Sequence, residues 1–151
     1  MTTLKEQLQE DLTAAIRSRD ELRSSTIRLT LSAVTSEEVA GKVKRELSDD
    51  EVLKVIAKEA KKRREAATAF ADAGRTESAA LERAEGEVLA EYLPKQLSDE
   101  ELTAIVAEAV AASGATGPQG MGAVMKLVKP KVDGLAEGGR VAAAVKAALT
   151  G

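Results

Sequence analysis

The stretch Leu93-Pro94-Lys95-Gln96-Leu97-Ser98-Asp99-Glu100-Glu101 lies between two long amphipathic patterns and decides how the chain is organised. Pro94 has no backbone N–H to donate and disfavours helical geometry in the residue before it, so the preceding helix ends here. Ser98 and Glu101 have the spacing of a capping box, in which each side chain accepts a hydrogen bond from the other residue's backbone N–H. We therefore predict that one helix stops and another begins within nine residues.

The distribution of charge supports a boundary in the same place. Residues 1–95 contain 17 basic and 19 acidic side chains, whereas residues 96–114 contain four acidic side chains and no basic one. Residues 115–151 then contain five basic and two acidic side chains. We therefore predict an N-terminal helical domain over residues 1–95 and a C-terminal helical module over residues 96–151.

Apolar residues on the N-terminal side recur with the spacing of amphipathic helices. We predict helices over about residues 3–19, 20–38, 48–73 and 76–92, two of which begin with capping boxes. Gly86, inside the fourth, costs about 1 kcal/mol relative to alanine, which indicates either a close helix crossing or a position that simply tolerates glycine. The inward faces are expected to include Leu8, Ile16, Ile27, Leu29, Val52, Ile56, Leu81 and Leu89.

The C-terminal side predicts three shorter helices. They cover about residues 98–113, a segment from Met121 that Pro130 stops or kinks, and about residues 139–149. Phe70 and Tyr92 are the only aromatic residues in the chain, so the core must consist of aliphatic side chains, which favours helices packed on helices. The predicted fold class is all-α, with a bundle of about four helices followed by a small three-helix module.

Several classes of chemistry are excluded by composition. The chain has no cysteine and no histidine, which removes thiol nucleophiles, disulfides and every mechanism with an imidazole base. It also lacks a Gly-x-x-x-x-Gly-Lys-Ser/Thr nucleotide loop. The acidic clusters 49–51 and 99–101 occupy first helical turns, where the helix dipole stabilises carboxylates. We expect no catalytic residue, no metal and no other cofactor.

The N-terminus becomes charged within five residues, and no stretch has the roughly 20 apolar residues that span a bilayer. We therefore expect a cytoplasmic protein with no membrane partner. The formal net charge of −3 excludes a bulk polycation, so any nucleic-acid contact must come from a local basic patch, and DNA is not an expected partner.

Three segments together resemble the GatB/YqeY family, specifically its free-standing YqeY-like members. They are residues 61–75 (KKRREAATAFADAGR), 91–98 (EYLPKQLS) and 121–131 (MGAVMKLVKPK), which occur in this order along the chain. The resemblance covers essentially the whole sequence. It implies an N-terminal helical domain joined to a module that is similar to the tail of the B subunit of glutamyl-tRNA(Gln)/aspartyl-tRNA(Asn) amidotransferase.

That tail is associated with contacts to the tRNA body, and related modules are attached to some glutaminyl-tRNA synthetases. The resemblance therefore implies tRNA as a possible partner, and an aminoacyl-tRNA amidotransferase or synthetase as another. The matching positions in this chain are Gly120, Gly122, Lys126, Lys129, Lys131, Arg140 and Lys146.

The residues themselves leave two interpretations of this module open. Lys126, Lys129 and Lys131 follow an apolar helix face, so their ammonium groups are expected in water, where phosphates could replace their counterions. Gly120 and Gly122 allow close backbone approach and offer N–H groups to an anion at a helix start. The alternative is that the lysines only confer solubility and the glycines only form a turn.

A second basic stripe is predicted on the third helix, at Lys54, Lys58, Lys61 and Lys62, and is a further candidate RNA-binding surface. The alternative is that Glu51, Glu59 and Glu65 pair with these lysines and with Arg63.

Our leading hypothesis is a non-catalytic tRNA-binding or tRNA-enzyme accessory protein that uses its C-terminal module. A protein-interaction module without RNA binding is the main alternative. A further alternative is a component of a carbon–nitrogen ligase that uses glutamine as amide donor, which the family label implies.

Overall fold

The computed structural model describes residues 2–150, and the described part of the chain is helical without a β-strand, which confirms the predicted all-α class. Its elements are α1 (Leu4–Arg17), α2 (Glu21–Glu38), α3 (Asp49–Asp72), α4 (Thr76–Ala90), α5 (Asp99–Ser113), a 3-10 helix (Pro118–Gly120), α6 (Met121–Val132) and α7 (Gly138–Thr150). They fall into two compact units, which meet in sequence between Leu93 and Pro94.

Three helices begin as the sequence predicts. Thr3, Ser48 and Ser98 are N-caps with extended backbones, and each side chain accepts the N–H of a glutamate three residues later. Each glutamate in turn accepts the cap residue's N–H, so all three capping boxes are confirmed.

The core of the first unit is almost entirely aliphatic. Leu8, Ile27, Val34, Ile56 and Leu89 are fully buried, and they bring together side chains from all four helices. The half-buried Tyr92 packs at the edge of this core and donates a hydrogen bond from its hydroxyl to Asp11. Burial and this carboxylate raise the pKa of the Tyr92 hydroxyl, which therefore keeps the proton that it donates to Asp11.

The buried face of α2 differs from the predicted one. Leu29 is 51% exposed, whereas Thr26 and Thr30 are 1% exposed. Leu29 lies about 200° around the helix from the buried Ile27, so the two cannot share a face. The threonines fit inside because their hydroxyls donate to carbonyls four residues earlier, at 2.7 Å for Thr26 and 2.9 Å for Thr30.

Two further predictions of core residues were wrong. Ile16 is 52% exposed because it lies about 80° around α1 from the buried Leu8. Leu81 is 54% exposed because it lies outside the main hydrophobic cluster of this unit. Along α3 that cluster extends only as far as Ala60, and along α4 it includes only Val88 and Leu89. The part of the α3–α4 hairpin that carries Leu81 lies outside that cluster.

A buried carboxylate joins three elements of the first unit. Glu38, at the end of α2, is 3% exposed and accepts hydrogen bonds from the Lys5 ammonium at 2.9 and 3.1 Å. It also accepts the backbone N–H of Leu47 at 3.4 Å, in the loop before α3. The Lys5 hydrogen bond is the main cause that holds the pKa of Glu38 below its usual value.

The second unit is built from α5, α6 and α7 around a smaller aliphatic core. Its fully or nearly fully buried residues are Leu102, Val106, Ala109, Val124, Val128, Val132, Val141 and Val145. Pro130 does not stop α6, which continues to Val132. Since Pro130 has no N–H, the carbonyl of Lys126 lacks its helical donor in this last turn.

We predict that Glu38→Gln destabilises the first unit at neutral pH, because the amide leaves the buried Lys5 contact without its charge partner. A carboxyl group with a lowered folded pKa stabilises the fold above its unfolded value near 4.5, and this contribution is lost as pH falls through the folded pKa. Urea midpoints of wild type and variant should therefore differ at pH 7 and converge below about pH 4.5. A constant difference across pH, or an equal loss in the exposed control Glu10→Gln, would contradict this role.

We predict that Gly86→Ala stabilises the protein by about 1 kcal/mol, because alanine has the higher helix propensity. A Cβ at this position would lie 3.8 Å from the Cβ of Arg63, which is an ordinary van der Waals contact. The α3–α4 crossing therefore does not require glycine. Thermal unfolding should show a midpoint several degrees higher, and a lower midpoint would mean that the two helices cannot accept the methyl group.

Candidate nucleic-acid interface

The basic surface of the second unit lies on the outer sides of α6 and α7. Val124 and Val128 fix the rotation of α6 by burying one face against the core. Lys126, Lys129 and Lys131 are consequently exposed, as is Lys146 on α7. None of these four lysines forms an ion pair with another residue in the described range 2–150. We call Lys126, Lys129, Lys131 and Lys146 the C-terminal lysine surface.

The lysines of α6 do not form one compact cluster. Because successive residues of an α-helix advance by about 100°, Lys126 and Lys129 are about 60° apart around the axis, and Lys131 lies about 140° from Lys126. They cover a broad solvent-facing arc. Such an arc is suited to several separate phosphates of a polyanion and poorly suited to enclosing one small anion.

Arg140 is engaged within the unit. Its guanidinium donates to the Leu97 carbonyl at 2.9 Å and to Asp99 at 2.8 Å, joining the start of α7 to the segment that caps α5. Its side chain is 35% exposed. Through these contacts Arg140 holds α5 and α7 together. The spacing of residues in the sequence did not reveal this structural role.

The two glycines at the start of α6 differ in what surrounds them. A Cβ on Gly120 would lie 2.6 Å from the Cβ of Ala115, closer than real Cβ contacts, so the chain approaches itself there. A Cβ on Gly122 would meet nothing within 4 Å. No side chain caps α6 among the described residues, but the N–H groups of Gly120 and Met121 donate to the carbonyls of Gly117 and Pro118 in the preceding 3-10 turn.

The stripe on α3 divides into paired and unpaired lysines. Lys62 lies 3.2 Å from Glu59 and Lys61 lies 3.9 Å from Glu65, as the ion-pair interpretation predicts. Within residues 2–150, Lys54 and Lys58 have no ion-pair partner.

The remaining predicted pairings of this stripe are different in the structure. Glu51 pairs with Arg45 of the preceding loop, at 3.0 and 2.6 Å, and this contact lowers the pKa of Glu51 to about 2. Arg63 contacts α4 instead of its own helix, at 3.6 Å from Glu82 and 3.3 Å from Glu85. Burial, together with the neighbouring Glu82 charge, raises the pKa of Glu85.

A solvent-accessible groove of about 550 Å³ lies between α2 and α3. Three of the stripe lysines line it, and Ser32 and Ser36 lie on the α2 side. Its lining residues are Leu29, Ser32, Ala33, Ser36, Glu37, Arg45, Leu47, Glu51, Lys54, Val55, Lys58, Glu59 and Lys62. Sequence reasoning missed this site because only tertiary packing places the serines of one helix beside the lysines of another.

Residues 2–150 lack two other kinds of site. No group of three or more acidic side chains within residues 2–150 is arranged to hold a metal ion. No helix in that range is both long enough and apolar enough to cross a bilayer.

We predict that Gly120→Ala destabilises the second unit by about 1–3 kcal/mol, because the added methyl group overlaps the Cβ of Ala115. Gly122→Ala is the matched control, since its Cβ would enter open space. Denaturant unfolding should separate the two variants, with the control at least as stable as wild type. Equal stability of both variants would show that the turn tolerates a side chain at Gly120.

Comparison with known protein families places the whole helical chain in one group. The family described as YqeY-like protein matches residues 5–149, which span α1 to α7. A comparison with curated proteins gives no match. The family match confirms the resemblance carried by the three sequence segments, and the chain belongs to the YqeY-like family.

Proposed function

We propose that this protein is a non-catalytic RNA-binding accessory protein that contacts the body of a tRNA through its C-terminal lysine surface. The observation that carries the proposal is the exposure of four lysines that have no ion-pair partner within residues 2–150: Lys126, Lys129, Lys131 and Lys146. All four are exposed and none is neutralised by another residue of the described range. A nucleic-acid backbone carries condensed cations, and lysines that bind its phosphates release these cations with a gain in entropy.

The composition of the second unit agrees with recognition of charge and shape. Residues 94–151 contain no aromatic side chain, so they cannot stack on bases. Stacking and base-edge contacts provide sequence-specific RNA recognition, whereas phosphate contacts depend on the spacing of the backbone. A folded RNA that presents several phosphates across a broad arc is therefore the expected ligand.

Membership of the YqeY-like family supports the finer assignment. We infer that α1–α4 form a helical bundle domain and that α5–α7 form a module like the tail of the amidotransferase B subunit. An aminoacyl-tRNA amidotransferase or synthetase is then the proposed protein partner, in the cytoplasm. In this arrangement the chain would help to hold tRNA while the partner performs the chemistry.

We predict that Lys126→Gln, Lys129→Gln and Lys131→Gln, combined in one variant, weaken tRNA binding roughly ten-fold or more at low salt. The slope of log affinity against log salt should fall by about three, one for each phosphate contact removed. Fluorescence anisotropy with labelled tRNA and an unstructured RNA of equal length measures both quantities. Circular dichroism should show an unchanged helical fold, since the three side chains are exposed.

The matched control carries Arg17→Gln, Lys42→Gln and Arg83→Gln, which remove the same charge from exposed positions of the first unit. It should retain most of the tRNA affinity. An equal loss in both variants would mean that only net charge matters. Unchanged binding in the C-terminal variant would remove this surface from the function and favour a protein-interaction module.

A further inference from the structure

The groove between α2 and α3 contains hydrogen-bonding groups that the fold leaves unused. The ammonium groups of Lys54 and Lys58 form no ion pair within the described residues, and the other two lining cations, Arg45 and Lys62, lie beside Glu51 and Glu59. The third lining carboxylate, Glu37, acts on Arg45, whose pKa it helps to raise. The groove therefore offers two available positive charges, one helical turn apart on α3.

The serines on the α2 side are also available. Ser24 and Ser25, earlier on the same helix, donate their hydroxyls to carbonyls three residues before them, both at 3.2 Å. Ser32 and Ser36 make no such bond to any described residue, although they lie on the same helix. Two free hydroxyls on one wall and two free ammonium groups on the other all donate, which favours an anion between them.

The Glu59 carboxylate in the same groove is a hydrogen-bond acceptor, so the ligand should also carry a donor. Glu59 is 8% exposed, and its Oε2 is buried without a hydrogen-bond partner among the described residues. The Lys62 ammonium lies 3.2 Å from this oxygen but not in hydrogen-bonding geometry. Because Oε2 is enclosed by protein, a ligand hydroxyl would donate to the other oxygen of this groove-lining carboxylate, Oε1, which accepts no hydrogen bond from a described residue.

We propose that the groove binds a ribonucleotide, with its phosphate against Lys54, Lys58 and the two serines and a ribose hydroxyl donating to Glu59. The volume of about 550 Å³ lies within the range of roughly 300–1,000 Å³ of small-molecule sites. Leu29, Ala33 and Val55 supply apolar surface for the base. Since no aromatic side chain lines the groove, little preference among bases is expected.

This chemistry is presented both by a free nucleotide and by one nucleotide of an RNA strand. The proposal does not depend on the C-terminal lysine surface, because every residue that it uses lies in the first unit. The two proposals can therefore fail separately.

The test is titration of the ¹⁵N-labelled full-length protein with adenosine 5′-diphosphate, followed by amide chemical shifts. Parallel titrations use 2′,3′-dideoxyadenosine 5′-diphosphate and inorganic pyrophosphate. We expect the ribonucleotide to shift amides of α2 and α3 and to bind roughly ten-fold more tightly than its dideoxy analogue, which lacks the donor for Glu59.

Variants separate the two halves of the site. Glu59→Gln removes a negative charge beside Lys62, so pyrophosphate binding should be unchanged or tighter, whereas ribonucleotide binding should weaken roughly ten-fold relative to pyrophosphate binding. Combined Lys54→Gln and Lys58→Gln should weaken both ligands, and so should combined Ser32→Ala and Ser36→Ala, whose exposed positions carry no risk to the core. The control with Arg17→Gln and Arg83→Gln, at exposed positions of the first unit that do not line the groove, should bind all probes as wild type does.

Three results would overturn the proposal: no shifts in α2 and α3, equal affinity for the ribonucleotide and its dideoxy analogue, or an equal loss of both ligands in Glu59→Gln. A tetraribonucleotide identifies the source if the proposal holds. These affinities are taken from the α2 and α3 amide shifts of the variant with Lys126→Gln, Lys129→Gln and Lys131→Gln, so that RNA bound at the C-terminal lysine surface does not contribute. Tighter binding of the tetraribonucleotide than of the mononucleotide then assigns the groove to an RNA strand, and the reverse order assigns it to a free nucleotide.

Discussion

The contact between Lys5 and Glu38 is the constraint on which the arrangement of the first unit depends. It joins the start of α1 to the end of α2, and the same carboxylate holds the backbone of Leu47 before α3 begins. A second tie, from the Leu4 N–H to Asp49 at 2.9 Å, joins α1 to the first turn of α3. Together they fix the loop that carries Arg45, and hence one end of the groove between α2 and α3.

The scarcity of aromatic residues determines how the cores are filled. Valine, leucine, isoleucine and alanine are smaller than phenylalanine or tryptophan, so helices must lie close together to leave no voids. Threonine serves as a near-isostere of valine in α2, and its hydroxyl is satisfied by the helix itself. The low aromatic content of the chain therefore explains both the aliphatic cores and the lack of base-stacking residues in the second unit.

Local signals in the sequence were sufficient for much of the fold. The three capping boxes and the break at Pro94 are properties of a few neighbouring residues, and they placed helix boundaries well. Hydropathy failed where tertiary packing decides, as for Leu29 outside and Thr30 inside. The same limit applies to the site: exposure of Lys126 followed from helix periodicity, whereas the contact of Arg140 with Asp99 spans 41 positions and has no local signature.

The charge cluster of Arg63, Glu82 and Glu85 gives the α3–α4 hairpin an unusual response to heat. Beyond the aliphatic core, this hairpin is joined by small alanines and by these partly buried ions, whose dehydration opposes the pairing at room temperature. The free energy of hydrating ions becomes less favourable on warming, so the penalty shrinks as temperature rises. The α3–α4 contact around Arg63, Glu82 and Glu85 should therefore lose less stability on heating than its small apolar contact area suggests.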